Sequence, residues 1–292
     1  MYVSVRECFP LAIFGGIKSG LDAMGIDAVE LEYFRDHTVY SVDSAQGEKA
    51  SLADGAAIDA FAAKCAALNV RVSALLLHNN FAANDLDAEL RWVISAVRAA
   101  AAIGTNAMRI DAYMTTEQEW PLKKRVSRFA ECMNRVLDAT TDLPVEMGIE
   151  NHGLQGNEPD FIDTVLNSVN HPRLGIAVDT ANFYWYGYPL SRVHKIIEYY
   201  APRVKHTHVK NINFPEDQRE IQRQIGWGYD TYVSPLRQGD LDMRRLISAL
   251  RRAGYTGDLC IENEALNHFD PPGRRAALID DAVYLQELLG ER

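Results

Sequence analysis

The sequence predicts an α/β fold, a single (β/α)8 barrel (TIM barrel) over residues 1–292. Three observations predict it: short β-branched runs alternate with longer helix-patterned stretches, the runs number eight, and no Pro-, Gly- or Ser-rich linker divides the chain. Parallel strands need crossover connections, usually helices, and eight strands close a sheet around an interior that side chains fill. An open doubly wound sheet would call for a Gly-rich phosphate turn after an early strand, but the first run is followed by Glu7-Cys8-Phe9-Pro10. The strands expected are residues 2–6, 28–32, 70–77, 107–111, 145–150, 174–179, 204–210 and 258–262. Helical patterning covers residues 58–68, 86–103, 117–139, 161–168, 192–200, 241–253 and 275–289. In the second of these, Leu90, Val93, Ile94 and Val97 share one face, as packing on a sheet requires. Gly104 closes a helix, Asp142 and Pro144 precede a strand, and Gly254 and Gly257 bracket the turn into the last strand.

Composition narrows the function classes. With 292 residues, 47% hydrophobic and 24% charged, the chain can bury a large core without disulfide staples. A net charge of −10 argues against a nucleic-acid partner. No run reaches the roughly 18 apolar residues of a membrane span. The apolar stretch over residues 8–17 is interrupted by Pro10, Gly15 and Gly16, with only Arg6 before it, so it does not read as a secretory signal. Cys8, Cys65, Cys132 and Cys260 lie far apart and form no CxxC pair, which excludes a zinc knuckle and a thioredoxin-type motif. A reduced, cytoplasmic location is the expectation.

The strands carry a second signal, because residues two apart share a face. Val29 and Leu31 alternate with Glu30 and Glu32, Met108 and Ile110 with Arg109 and Asp111, and Met147 and Ile149 with Gly148 and Glu150. Ile176 and Val178 likewise alternate with Ala177 and Asp179, and Leu259 and Ile261 with Cys260 and Glu262. If the apolar set meets the helices, the other set points into the barrel and is rich in carboxylates. Unpaired ions in a dry interior cost several kcal/mol or more, so these groups must meet counter-charges, water or a metal.

The last four strands end on Glu150, Asp179, His208 and Glu262. At the C-terminal rim of a barrel these side chains converge. Three carboxylates and an imidazole form a hard site for one divalent metal ion, manganese being the metal expected and magnesium, cobalt and zinc also fitting. From Glu150 to Asp179 and from Asp179 to His208 the step is 29 residues, about one strand-helix unit, whereas the step to Glu262 is 54. An insertion over residues 211–240 accounts for the difference. It holds Trp227, Tyr229 and Arg237 and reads either as a lid, with Arg237 at the substrate, or as a packed surface loop or subunit contact. Phe183, Tyr184, Trp185, Tyr186 and Tyr188 read either as an apolar wall for a sugar or as a contact in a homo-oligomer.

Local wording adds to this. Glu150-Asn151-His152-Gly153, Val178-Asp179-Thr180, His206-Thr207-His208-Val209-Lys210, Gln238-Gly239-Asp240-Leu241-Asp242 and Gly254-Tyr255 through Ile261-Glu262 occur in that order. Together they resemble the xylose isomerase-like barrel superfamily, in its sugar phosphate isomerase/epimerase branch. Residues 25–31, Gly-Ile-Asp-Ala-Val-Glu-Leu, look like the family's second strand. The resemblance implies metal ligation by Glu150, Asp179, His208 and Glu262, and catalysis by Glu150 and Glu262 from opposite faces of a small ketose, aldose or related polyhydroxy carbonyl compound. His206 and Lys210, on the inward face with His208, and His152, just past Glu150, are substrate-binding candidates. Asn182 is another, standing where the ketose 3-epimerases of the family carry histidine, while Phe214 replaces their arginine.

The expected function is thus a divalent-metal-dependent sugar isomerase or epimerase working by proton abstraction. The alternative is a dehydratase resembling inosose or 3-dehydroshikimate dehydratases. An endonuclease IV-like nuclease wants further histidine ligands and a basic face, neither of which the sequence supplies. An inactive binding barrel would not need all four ligand types.

Overall fold

The β-branched runs pair side by side in the computed structural model, which describes residues 1–45 and 47–290. Eight parallel strands close into a barrel: β1 (Tyr2–Arg6), β2 (Ala28–Glu32), β3 (Arg71–Leu76), β4 (Ala107–Asp111), β5 (Glu146–Glu150), β6 (Leu174–Asp179), β7 (Val204–Val209) and β8 (Asp258–Ile261). Closure is made by β1, which sets Val3 opposite Leu259 on β8 and Val5 opposite Val29 on β2. The apolar members of each alternation, from Val29 and Leu31 to Leu259 and Ile261, are buried. The carboxylate-bearing members share the other face.

Helices surround the sheet, with local starts that their sequences dictate. Asp85 accepts the Ala88 N–H at the head of Leu86–Ala102, and Asp270 accepts the Gly273 N–H ahead of Pro271–Leu289. Pro121 precedes Leu122–Ala139, so that helix begins later than residue 117: a proline suits a helix start and not its interior. The helical patterning does not reveal Cys8–Phe14 and Ile17–Met24, nor the four-residue helices Asn182–Trp185 and Tyr229–Tyr232. Gly15, at φ 75°, ends the first, and extended Gly16 opens the second, so the glycines that interrupt the pattern are a boundary between two short helices. Gly20 is required where these helices meet, since a Cβ there would lie 2.3 Å from Pro10 Cβ.

The insertion after β7 folds back as an antiparallel pair, Asn211–Ile212 with Val233–Ser234, and gathers Phe214, Trp227 and Tyr232 into one aromatic cluster. Phe183 and Tyr184 lie in the core, where Phe183 stacks on Tyr200 and Tyr184 meets Phe214 edge-on. Among the described residues no helix is long and apolar enough to cross a membrane.

Inside the barrel, β5 and β6 approach closely where both carry small residues. Gly148 faces inward on β5, and a Cβ there would stand 2.6 Å from the Ala177 backbone nitrogen on β6. Backbone cannot yield as a flexible side chain does. Gly148→Ala is therefore expected to destabilise the fold by about 1–3 kcal/mol, read from the urea midpoint.

Candidate metal centre at the barrel mouth

Glu150 ends β5, Asp179 ends β6, His208 is the last inward residue of β7, and Glu262 follows β8. All four are buried, and one ligand atom from each lies within 4.8 Å of those of the other three. Strand register brings them together: Asp179 is opposite His208, and Cys260, two residues before Glu262, is also opposite His208.

Both oxygens of Glu150 and of Glu262 have hydrogen-bond partners, whereas Asp179 has one oxygen held and one not. Asp179 Oδ1 accepts the N–H groups of Ala181 and Asn182 at 2.8 and 2.9 Å. Its Oδ2 is buried without a well-formed hydrogen bond, although the Lys210 ammonium lies 3.0 Å away. Arg109 donates to Glu150 Oε2 through Nε at 2.7 Å and again through Nη2, while Glu150 Oε1 lies 2.6 Å from His208 Nδ1. Glu262 Oε1 accepts from Arg6 Nη1 at 2.8 Å, and its Oε2 from Lys210 Nζ at 3.1 Å.

Burial alone would raise all three carboxyls. For Glu150 the Arg109 and His208 charges win and hold it down at about 2. Lys210, His208 and Arg6 hold Glu262 well below the usual range. Asp179 goes the other way, up to about 7, because burial and the neighbouring Glu262 and Glu150 outweigh Lys210. Burial would lower His208, yet Glu30, Glu262 and Glu150 keep it well above its ordinary value. Such a cluster, with one carboxylate disfavoured by two like charges and one oxygen lacking a well-formed hydrogen bond, fits a small divalent cation.

A cavity of about 240 Å3 opens over these groups, with His78, His152, Asn182, Trp185, Lys210 and Tyr229 in its walls. His152, Asn182 and Lys210 therefore stand where a small ligand would reach them. Tyr229, from the insertion, donates a hydrogen bond to Glu264 at the mouth.

Two of the expected substrate contacts lie apart from the cavity. His206 is fully buried one layer below, between Glu30 and Asp258, because the period of two along β7 sets it deeper than His208. Arg237 turns away from the mouth: it pairs with Asp280 and Glu287 on the last helix and covers the Tyr284 ring at 4.5 Å. Of the aromatic segment over residues 183–188, Trp185 lines the cavity. Sequence reasoning passed over Arg6, His78 and Glu264, which also line it. Arg6 closes β1, and the strand-end rule that found the last four residues would have found it.

The chain belongs to the xylose isomerase-like TIM barrel family, whose model matches residues 21–287. No curated protein matches it in sequence. Among solved structures, it is similar to the IolI protein with a bound zinc atom, at TM-score 0.72 and 14% identity over 100% of this chain and 99% of that one. A D-tagatose 3-epimerase-like protein gives 0.68 and 14%, over 99% and 97% of the two chains. Mannonate dehydratase from Streptococcus suis gives 0.66 and 12%, over 99% and 93%.

Glu7, next to Arg6, is a buried carboxyl outside the cluster whose Oε2 has no partner. Burial pushes it up to about 8, against the pull of Arg6. The folded protein thus keeps a proton that the unfolded chain releases near 4.5. The contribution is complete below about 4.5 and is lost as pH rises through about 8. Glu7→Gln is expected to flatten the decline of urea midpoint across that window.

Proposed function

We propose that the protein is a metal-dependent sugar isomerase or epimerase, acting on a small polyhydroxy ketone or aldose. The observation that carries this reading is the convergence of three carboxylates and one imidazole on a buried point, with Asp179 Oδ2 lacking a hydrogen bond. Glu150, Asp179, His208 and Glu262 would hold the ion, manganese being our assignment from the oxygen-rich donor set. When bound, the ion supplies charge stabilisation for the substrate's carbonyl and neighbouring hydroxyl oxygens.

The remaining chemistry belongs to the chain. Glu262, kept ionised by Arg6 and Lys210, is the base for the proton beside the carbonyl, and Glu150 serves the opposite face of the substrate. Asn182 has a buried, unpartnered Nδ2 at the cavity and is suited to donate to a substrate oxygen. His152 and Lys210 supply further polar contacts, and Trp185 and Tyr229 an amphipathic wall. A volume of about 240 Å3 fits one sugar unit better than a chain of them.

Dehydration of a polyol ketone begins with the same proton removal. Asn182 and Phe214, in place of the histidine and arginine of ketose 3-epimerases, keep that lyase reading as the second one. Incubation with candidate ketoses in deuterium oxide separates them: exchange at carbon without loss of water is expected, whereas an enone absorbing in the ultraviolet would mark the lyase. Exhaustive chelation is expected to abolish turnover and manganese to restore it; activity that survives chelation contradicts the proposal. Glu150→Gln and Glu262→Gln are each expected to lower kcat by about 100-fold or more. Asp179→Asn and His208→Ala should act mainly on metal content per chain, read by elemental analysis.

A further inference from the structure

Beneath the mouth a second set of buried groups runs along the barrel axis. Glu30, on β2, is fully buried and turns both oxygens to β7: Oε2 lies 2.8 Å from His208 Nε2, and Oε1 2.8 Å from His206 Nε2. The first contact is a well-aligned hydrogen bond, and the second is a close charge contact off the hydrogen-bond line. His206 Nδ1 continues to Asp258 Oδ1 at 3.0 Å. Asp258 is fastened by hydroxyls, accepting from Ser4 and from Tyr255, each at 3.0 Å. The series links β1, β2, β7 and β8 without reaching the cavity.

An imidazole has two nitrogens, and which of them meets a metal is set by the partner of the other. We propose that Glu30, braced through His206 by Asp258, is a positioning residue for His208: it holds the Nε2–H so that Nδ1 faces Glu150 and the carboxylate cluster. This inference rests on the metal-binding reading above. The cost of burying Glu30 is offset by two imidazoles, and a ring gripped from below cannot turn about its χ2 to offer the other nitrogen. Glu30, His206, His208 and Cys260 also lie within coordination reach of one another. A second ion there would have to displace His208 Nε2 from Glu30 in a region closed to solvent, since all four side chains are buried.

The test is titration of Mn2+ and Co2+ into wild-type protein, Glu30→Gln and Asp258→Asn, with long-range proton–nitrogen spectra of the zinc-loaded forms. Expected are one ion per wild-type chain, a roughly 10- to 100-fold weaker affinity in Glu30→Gln and a smaller loss in Asp258→Asn. The His208 Nε2–H signal of the wild type should be lost or averaged in Glu30→Gln. Should that variant fail to fold, Asp258→Asn carries the test, since Asp258 touches none of the four rim side chains. Wild-type affinity and an unchanged His208 spectrum in the variants overturn the inference while leaving metal binding intact. Two Co2+ per chain with a near-ultraviolet thiolate band that Cys260→Ser removes would overturn it too, making Glu30 a ligand. A wild-type protein that takes up none of the three ions overturns the metal reading, and this inference with it.

Discussion

The mouth of this barrel depends on crowded negative charge that must be matched from within. Glu150, Asp179 and Glu262 are drawn together by strand register, and removing three carboxylates from water costs several kcal/mol each unless partners compensate. Arg109, Arg6 and Lys210 supply that compensation from β4, β1 and the end of β7. The match is uneven. Glu150 and Glu262 are satisfied as ions, while Asp179 carries the surplus and is pushed up to about 7. A site already neutralised at every carboxylate would gain little from a further cation, and this imbalance is what makes the cluster a candidate for one.

How much of this is legible in the sequence follows from which signals are periodic. The strands repeat a two-residue alternation, and their ends at Glu150, Asp179 and Glu262 and the inward His208 can be read off without coordinates. Glu30, Arg109 and Asp111 are legible as inward residues, but their partners are not, since pairing depends on which strands become neighbours. The helices over residues 8–14 and 17–24 are too short to display a long apolar period, and Gly15 and Gly16 mask them. Within the insertion no periodicity says which side chains face inward. Tyr229 does and Arg237 does not, and the difference arises from packing against the last helix.

Family membership and the mouth geometry bear on different questions. The family fixes the architecture, and the side chains at the mouth decide what the cavity can hold. Phe214 lies in the core against Tyr184 and Trp227 and so contributes to the packing of the insertion. The polar side chains that line the mouth are instead Asn182, His152 and Lys210, with Arg6 paired to Glu262.

The last helix, Pro271–Leu289, has an influence beyond covering the sheet. Asp281 on that helix accepts the Leu236 N–H of the insertion and the side-chain amide of Asn263 just past Glu262. Arg237 adds a second fastening of the insertion through Asp280 and Glu287. The segment bearing Tyr229 and the segment bearing Glu262 and Glu264 are thus hung from one common beam. Any displacement of that beam would move a wall of the cavity and one member of the carboxylate cluster in concert, so the C-terminal helix acts as a frame for the mouth while lending no side chain to the cluster.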